Sequence, residues 1–545
     1  MSTTLEEPAN IASYLERMAS LRPDALAVAI ATAPGKYEEL TYAELDRLVD
    51  RSAHALRAVG ISRGTRTVVM VQPSPELFAI TFALFKIGAV PVMVDPGMGI
   101  RNLGQCLGEA EPTAFIGTPK AHFARRLFRW ARPSLEILVT VGPRWLGGGH
   151  RFSRILENAP TQPFDIEEPD SDQMAAIFFT SGSTGPPKGV VYRHPNFAAQ
   201  VRLWKAVYGI APGEVDLATL PLFALFGPAL GMSSVVPLMD ASRPITANPR
   251  HLVAALEKYS CTNTFVSPAL VEKIGRHCEA TGTQLIGLRR VLSAGAPASP
   301  NALERLQRHL PDGVEIYTPY GATEALPVAS VGSRTILGDA RKRTEAGAGV
   351  CVGHPVPEAH VQIIPIKDDA IPTWSPDLAL PPNEIGEIVV RGPMVTHGYY
   401  NRADATALAR IADGDRIFHR MGDLGYLDDA GQLWMCGRKT HRVVTATTTM
   451  FTVPCEAVFN THPAVFRTAL VGVRGDPVLC VELESGHRPS DTLTGELRAI
   501  GARFEHTRAI ETFLFHHDFP VDVRHNAKIF RERLALWAAG QVPQK

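Results

Sequence analysis

Apolar residues follow two alternating patterns along the chain, one with helical spacing and one with short continuous runs. Residues 41–44 (TYAE) match a helix capping box before an amphipathic stretch, and residues 67–71 (TVVMV) then form a β-branched run. The alternation recurs as a predicted helix over 76–86 with a strand over 90–94, and as a predicted helix over 299–310 with a strand over 314–317. Helices that alternate with short apolar strands predict an α/β fold whose parallel sheets are covered on both faces.

The pattern changes after about residue 350, where Pro and Gly punctuate strand signals such as 386–390 and 425–427. A small terminal unit begins near Gly437. We therefore predict a large N-terminal body, residues 1–438, which combines parallel-sheet α/β subdomains with a strand-rich subdomain. Residues 439–545 are predicted to form a small C-terminal α/β cap.

Two apolar stretches are long enough to be tested as membrane spans. Lys86 and Pro91 interrupt residues 77–94, which are predicted to form a helix, a stop and a strand. Residues 217–239 carry no charge and meet the length of a span, but three prolines break them, at positions 221, 228 and 237. We expect no transmembrane segment and predict a buried strand, loop and helix that line an apolar pocket.

Composition narrows the class of protein. The 545 residues include 55 Lys or Arg and 55 Asp or Glu, so the chain lacks the basic excess that nucleic-acid binding requires. Its seven cysteines include no CxxC pair, which argues against a zinc site and a disulfide framework. The first 23 residues carry charges and no apolar segment, so no signal peptide is predicted. We expect a cytoplasmic protein.

Residues 180–189 (TSGSTGPPKG) follow a predicted strand and combine four hydroxyl side chains, three glycines and one lysine. Backbone N–H groups and hydroxyls in such a loop suit a polyphosphate. A Walker loop is excluded, because only two residues separate Gly182 from Gly185 and Lys188 leads into a strand rather than a helix. Taken alone, the segment is also compatible with a surface turn.

Five more segments follow this loop in a fixed order: SAGAP at 293–297, YGATE at 320–324, GDLGY at 422–426, GRK at 437–439 and NAKI at 526–529. Together they resemble the motifs of the adenylate-forming superfamily, which includes acyl-CoA ligases, peptide-synthetase adenylation domains and luciferases. The resemblance covers essentially the whole chain. It implies an enzyme with a mobile C-terminal cap that makes acyl-AMP and pyrophosphate from ATP and a carboxylic acid.

The resemblance also implies a role for each matched residue. Mg²⁺ would lie near Glu324 and Thr184, and Lys528, delivered by the cap, would contact the carboxylate and α-phosphate oxygens. Lys188 is expected to act with these three as a catalytic residue. The expected ATP and AMP contacts are Thr180, Ser181, Gly182, Ser183, Thr184, Gly185, Lys188, Gly295, Ala296, Pro297, Tyr320, Gly321, Ala322, Thr323, Asp423 and Arg438.

Two further groups of residues complete the expected site. The hinge between body and cap would comprise Lys439 and Thr440. The expected acyl pocket comprises Phe223, Ala224, Phe226 and Gly227. Within the nucleotide site, Tyr320 would stack on adenine and Asp423 would accept the ribose hydroxyls.

Three positions depart from the CoA ligases of the superfamily. Ala224 stands where those ligases commonly have His, and Thr449 stands where a Gly lets pantetheine approach. Ala527 replaces the Gly before the catalytic Lys528. These departures concern the thioester step and leave the adenylation motifs intact, so we expect that CoA is not used.

Residues 520–528 (PVDVRHNAK) and the threonine-rich stretch 440–450 resemble the β-lactone synthetases of bacterial long-chain olefin biosynthesis. This resemblance implies that the substrate is a hydrophobic 2-alkyl-3-hydroxy acid. Its own 3-hydroxyl would attack the acyl-AMP, close a β-lactone and expel AMP, with the high effective molarity of an intramolecular reaction. The resemblance also implies association with the thiolase, reductase and decarboxylase of that pathway.

Two alternatives stay open at this point. One is a medium- or long-chain fatty acyl-CoA ligase or acyl-AMP ligase, which CoA-dependent release of AMP would favour. The other is an inactive relative that binds AMP or acyl groups as a regulator, although the retained catalytic residues argue against it. The base for the 3-hydroxyl is not identified, and the candidates are His441, His525 and His194.

Overall fold

The computed structural model describes residues 8–143, 148–179, 187–521 and 528–542. The helices in these ranges are α1 (Ser13–Leu21), α2 (Tyr42–Ala58), α3 (Pro75–Ile87), α4 (Ile100–Glu109), α5 (Pro119–Leu127), α6 (Phe152–Glu157), α7 (His194–Tyr208), α8 (Pro221–Leu230), α9 (Pro249–Lys258), α10 (Pro268–Thr281), α11 (Pro300–Gln307), α12 (Ser333–Leu337), α13 (Asp339–Glu345), α14 (Ala403–Ala409), α15 (Thr452–Phe459), α16 (Asp491–Gly501) and α17 (Arg531–Gln541).

The strands in the same ranges are β1 (Leu26–Ala33), β2 (Lys36–Thr41), β3 (Arg66–Met70), β4 (Val90–Val94), β5 (Ala114–Gly117), β6 (Ile137–Thr140), β7 (His150–Arg151), β8 (Met174–Phe179), β9 (Gly189–Arg193), β10 (Val215–Ala218), β11 (Ser233–Val236), β12 (Asn263–Val266), β13 (Arg290–Ser293), β14 (Ile316–Ala322), β15 (Ala325–Gly332), β16 (Val350–Pro355), β17 (His360–Ile364), β18 (Gly386–Arg391), β19 (Arg410–Asp413), β20 (Arg416–Leu427), β21 (Leu433–Arg438), β22 (Val443–Val444), β23 (Thr449–Met450), β24 (Val465–Val473), β25 (Asp476–Leu483) and β26 (Thr512–Phe515).

A seven-stranded sheet has the order β7-β6-β5-β3-β4-β8-β9 and is parallel except for the β8–β9 pair. Helix α3 connects β3 to β4. The Ser74 side chain caps its first turn, Pro75 occupies its first position, and Gly88 ends it in the left-handed conformation at φ 73°. The helix, stop and strand predicted for residues 77–94 are therefore confirmed.

A second sheet of 14 strands changes character along its length. Strands β1, β11, β10, β12, β13 and β14 run parallel, and β14 to β21 continue the same sheet by antiparallel pairing. The parallel part is the α/β arrangement predicted from the alternating pattern. The antiparallel part contains the strand-rich segment predicted after residue 350, but it already begins with the β14–β15 pair at residues 316–332. The mixed α/β class is confirmed. The segment with alternating helices and strands and the strand-rich segment contribute to the same sheet.

The C-terminal segment builds a separate three-stranded sheet in the order β24-β25-β26. Leu470 on β24 packs in a core cluster with Phe459 of α15, while Ala469 and Val471 pack on the opposite face with Leu534 of α17. This alternation is that of a strand buried on both faces. A short β22–β23 ladder pairs Val443 and Val444 with the residues 449–450.

Tertiary pairing moves some predicted boundaries. Helix α11 ends at Gln307, and strand β14 runs from Ile316 to Ala322 because it pairs along its length with β15. The uncharged stretch 217–239 divides into β10, α8 and β11, with Gly231 at φ 82° ending the helix. Across the described ranges, every helix is too short or too polar to span a bilayer.

Candidate active site

A cavity of about 2100 Å³ opens at the carboxyl ends of the parallel strands, where ligands bind in open α/β sheets. Its walls have a polar part and a large apolar part. Residues predicted from separate motifs meet in the polar part: Lys188, Gly295, Ala296, Pro297, Tyr320, Gly321, Ala322, Thr323, Glu324, Asp423, Arg438, Lys439, Thr440 and Lys528.

The carboxylate of Asp423 lies between two partners on neighbouring strands. Asp423 on β20 faces Arg438 on β21, and Arg438 Nε is 3.1 Å from Asp423 Oδ1. The Tyr320 hydroxyl, from the end of β14, donates to Asp423 Oδ2 at 2.7 Å. Burial and this carboxylate hold the pKa of Tyr320 well above its usual value, and the carboxylate raises the pKa of Arg438. The arrangement fixes an aromatic ring, an acceptor and a cation on one wall.

Glu324 is held by a tyrosine that the sequence did not single out. The Tyr399 hydroxyl donates to Glu324 Oε1 at 2.8 Å, and Lys188 Nζ lies 4.9 Å from the centre of the Tyr399 ring. Backbone bonds explain the contact, since Tyr400 N donates to Gly189 O at 2.8 Å at the start of β9. The segment around Tyr399 therefore lies beside the end of the predicted phosphate loop.

Arg410 is a second residue that the sequence analysis missed. It is 7% exposed, and its Nη2 donates to Thr396 Oγ1 at 3.1 Å. Burial lowers its pKa to about 10, and the neighbouring Tyr399 and Glu324 oppose that change. The only sequence signal was an Arg at the start of a strand, which is too common to select. Buried positive charge thus lies behind the Glu324–Tyr399 pair.

Part of the predicted site lies outside the described residues. These predicted positions are Thr180, Ser181, Gly182, Ser183, Thr184 and Gly185 of the phosphate loop, together with His525 and Ala527. Strands β8 and β9 pair in antiparallel register from Phe179 to Gly189, so the two ends of the predicted loop are adjacent.

The segment that carries Lys528 is tied to the C-terminal unit. Lys528 lines the cavity, and three residues later Arg531 Nη2 donates to Glu456 Oε2 of α15 at 2.9 Å. Glu456 Oε1 in turn accepts from Leu470 N on β24 at 2.8 Å. Burial raises the pKa of Glu456, and Arg531 opposes the change. The first turn of α17 is thereby anchored to α15 and β24 next to Lys528.

The predicted hinge residues lie at the end of β21. Lys439 Nζ donates to Lys367 O at 2.9 Å and is 3.2 Å from Glu387 Oε1. Glu387 is 1% exposed and also pairs with Arg420 at 2.6 Å. Thr440 is the middle residue of a single 3₁₀ turn, Lys439–His441. A buried carboxylate therefore fixes the point where the chain leaves the large sheet.

The four predicted acyl-pocket residues divide between two faces of α8. Phe223 stacks on Phe265 with ring centres 3.8 Å apart, and Phe223 and Phe226 line the cavity. Ala224 and Gly227 face β11 instead, and a Cβ on Gly227 would lie 1.9 Å from Ser234 Oγ. The prediction treated adjacent positions as one surface, but a helix turns neighbouring residues to different sides.

The candidate bases differ in position. His194 is 2% exposed, and its Nδ1 accepts from Ile11 N at 3.3 Å, so it serves as a buried packing residue. His441 lines the cavity, with Nε2 3.3 Å from Glu532 Oε1. Burial lowers the pKa of His441 to about 4, and Arg531 adds to the effect. The imidazole of His441 is therefore neutral at pH 7.

Comparison with known proteins assigns this fold and site to a class. The chain belongs to the AMP-binding enzyme family, whose model matches residues 15–400. It is 50% identical to the olefin beta-lactone synthetase of Xanthomonas campestris pv. campestris, over 98% of both chains. It is 48% identical to the olefin beta-lactone synthetase of Stenotrophomonas maltophilia, over 99% of this chain and 100% of the other. The superfamily expected from the motifs is confirmed.

Solved structures agree in fold. The amide bond synthetase McbA from Marinactinospora thermotolerans superposes with a TM-score of 0.78 at 23% identity, over 97% of this chain and 100% of that one. The o-succinylbenzoate CoA synthetase from Bacillus subtilis, in complex with an acyl-adenylate intermediate, gives a TM-score of 0.75 at 21% identity over 97% and 98% of the two chains. These likenesses extend along nearly the whole chain and establish the adenylate-forming fold.

Proposed function

We propose that the protein is an ATP-dependent β-lactone synthetase. It activates a 2-alkyl-3-hydroxy fatty acid as acyl-AMP with release of pyrophosphate, and the 3-hydroxyl then closes the lactone ring with release of AMP. The observation that carries the proposal is the 50% identity with an olefin beta-lactone synthetase over 98% of the chain. The cavity supports it, because nucleotide-type polar groups and a large apolar wall meet there.

The contacts of Tyr320, Asp423 and Arg438 support the proposed binding of ATP at this wall. The adenine ring would lie against Tyr320 and the wall formed by residues 295–297, and the ribose hydroxyls would donate to Asp423. Arg438 Nε pairs with Asp423 Oδ1 at 3.1 Å, but this oxygen receives no hydrogen bond from the described residues, which suits a ribose donor. The β- and γ-phosphates would lie at residues 180–188.

The residues present fit Mg²⁺. Glu324 supplies the carboxylate oxygen that this ion prefers, on the cavity wall beside Tyr399 and Lys188. Thr184 is the second proposed ligand. When bound, Mg²⁺ neutralises phosphate charge in the transition state. Tyr399 holds the Glu324 carboxylate in place, and Lys188 adds positive charge near the phosphates.

The chain is proposed to work as a body, residues 1–438, and a mobile cap, residues 439–545. Lys528 would bring its ammonium to the attacking carboxylate and the α-phosphate, where negative charge develops. Its position is supported by the ion pair between Arg531 and Glu456, which anchors α17 to the rest of the cap. The hinge at Lys439 and Thr440 would set the orientation of the cap.

The second step needs no separate nucleophile. The 3-hydroxyl oxygen bonds to the acyl carbon, the bond from that carbon to the AMP oxygen breaks, and the hydroxyl proton passes to a base. Phe223 and Phe226 would hold the alkyl chains away from water. The side chain of Thr449 would obstruct pantetheine, so CoA is proposed not to be used. The enzyme is proposed to act in the cytoplasm, in association with the thiolase, reductase and decarboxylase that supply its substrate and consume its lactone.

The test is a product analysis with ATP, Mg²⁺ and a 2-alkyl-3-hydroxy acid, with and without CoA. We expect lactone, AMP and pyrophosphate in equal amounts in both reactions. The Thr449→Gly variant is the matched control, and it should also give mainly lactone, because Ala224 and the threonine-rich stretch remain. A CoA thioester as the main product of the unchanged enzyme would reject the proposal in favour of a CoA ligase.

A further inference from the structure

Helix α5 and the turn after it form a cationic surface outside the nucleotide site. Residues 118–135 contain five Lys or Arg and no Asp or Glu, whereas the whole chain has 55 of each sign. Four of these cations are exposed and form no ion pair with any residue that the structure describes: Lys120, Arg126, Arg129 and Arg132. The surface therefore carries positive charge that the protein itself does not neutralise.

Large apolar side chains are exposed beside these cationic residues. Phe123 is 51% exposed, Leu127 is 60% exposed and Phe128 is 43% exposed. Phe123 and Leu127 are four residues apart on α5, so they share one face of the helix. Lys120 and Arg126 lie three residues to either side of Phe123. We call these residues, with Phe128, Arg129 and Arg132, the α5 surface.

The α5 surface borders an opening of the main cavity. Thr118 and Ala121, at the start of α5, line the cavity. Gln72 and Pro73, which follow β3, line it as well and are exposed to solvent. Apolar residues continue inward on this wall from Leu77 of α3. A hydrophobic acid could therefore pass from the α5 surface into the apolar part of the cavity.

We propose that the α5 surface docks the enzyme on an anionic phospholipid bilayer. Exposed Phe and Leu beside Lys and Arg are typical of helices that lie in the membrane interface, where apolar side chains enter the headgroup region and cations meet anionic lipid. An acid with two alkyl chains partitions into a bilayer rather than into water. Docking next to the cavity opening lets the substrate enter without crossing bulk water.

This inference goes beyond the proposed reaction and depends on it only for the hydrophobic nature of the substrate. Docking is measured without turnover, so its failure and the failure of the lactone proposal are separate results. The chain also offers a matched control. Ile286 is 83% exposed, Arg289 is exposed, and the two have the same spacing of three residues as Phe123 and Arg126.

The experiment measures the partition of the purified full chain onto sedimented vesicles. Vesicles contain either phosphatidylcholine alone or phosphatidylcholine with about 30 mol% phosphatidylglycerol, whose headgroup is anionic. We expect binding to the anionic vesicles, at least tenfold weaker binding to neutral ones, and loss of binding as salt is raised. The double variant F123S/R126E should bind at least about tenfold more weakly, whereas I286S/R289E should bind like the unchanged protein.

Three results would overturn the proposal. The first is no binding of the unchanged protein to anionic vesicles, and the second is equal binding by the two double variants. The third is a dimer in sedimentation velocity that F123S/R126E abolishes without any vesicle binding, which would assign the α5 surface to a second copy of the chain. Equal thermal midpoints of both double variants, within about 2 °C, show that Phe123 and Arg126 are replaced without loss of the fold.

Discussion

Asp423 is the residue whose replacement should affect nucleotide binding most directly. Its carboxylate is 4% exposed and lies between the Tyr320 hydroxyl and the Arg438 guanidinium. We expect Asp423→Ala to raise the KM for ATP at least about tenfold, because hydrogen bonds to a charged group contribute strongly to binding. Equilibrium binding of ATP and AMP checks this. Asp423→Asn keeps an acceptor oxygen and should be less impaired, and an unchanged ATP affinity in Asp423→Ala would remove Asp423 from the site.

Replacement of Lys528 should slow the reaction and leave ATP affinity nearly unchanged. Its ammonium is proposed to act on charge that develops at the α-phosphate, while the large body binds ATP. We expect Lys528→Ala to slow pyrophosphate release by about 10²–10³-fold with less than about a threefold change in ATP affinity. Lys342→Ala, at an exposed position on α13, is the control. Pyrophosphate release at the unchanged rate in Lys528→Ala would contradict the assigned role.

The sequence identifies the motif residues but not the residues that hold them in place. Asp423 and Arg438 belong to short segments with recognisable chemistry, so they could be named in advance. Tyr399 reaches Glu324 because the chain pairs residues 398–400 with β9. Arg410 lies behind this pair because β19 pairs with β20. The sequence around Tyr399 and Arg410 contains no recognisable motif. Contacts between distant strands, rather than local chemistry, decide which side chains support the site.

At the scale of elements, the pair of strands β10 and β12 contains a titratable group that should set the pH dependence of stability. Asp216 on β10 faces Asn263 on β12, which donates a hydrogen bond to it. Burial raises the pKa of Asp216 to about 7. Between the unfolded pKa of about 3.9 and this value, the folded state keeps the proton and the unfolded state does not. Asp216 therefore contributes stability at low pH that is lost as the pH rises towards 7.

The Asp216→Asn variant removes this titration. We expect the free energy of unfolding of the variant, relative to the unchanged protein, to increase by about 2–3 kcal/mol between pH 5 and pH 7.5. Thermal midpoints of the two proteins across this range check the prediction. Asp312→Asn, at an exposed position, is the control, and its free energy of unfolding relative to the unchanged protein should not vary with pH. A flat difference for Asp216→Asn as well would show that Asp216 is ionised in the folded protein across the range.

Elements were predictable where local signals agreed. Helix α3 and strand β4 carry their cap, their stop and their apolar runs within a few residues, and the structure reproduces them. Helix α8 shows the limit, because the sequence indicated an apolar pocket there but could not tell the cavity face from the β11 face. Which face of α8 meets the cavity depends on how the helix is rotated against β11, and packing decides that rotation.

At the scale of the whole molecule, the proposed function depends on one cavity shared by distant parts of the chain. Segments from both large sheets meet the C-terminal unit there, and the order of motifs was enough to expect that meeting. The dimensions of the cavity and its opening beside α5 could not be predicted, because they depend on how the sheets and helices pack. The proposed chemistry needs both parts of the cavity, since a polar nucleotide and an apolar acyl chain must react while water is excluded.

The central claim is that the substrate's own 3-hydroxyl discharges the acyl-AMP. The most direct measurement is a rapid-quench comparison of a 2-alkyl-3-hydroxy acid with the same acid lacking the 3-hydroxyl, with ATP and Mg²⁺ and without CoA. The account predicts repeated turnover to lactone, AMP and pyrophosphate for the hydroxy acid. For the deoxy acid it predicts a burst of about one pyrophosphate per enzyme, with acyl-AMP retained in the site. Equal turnover of the two acids, or no lactone from the hydroxy acid, would contradict it.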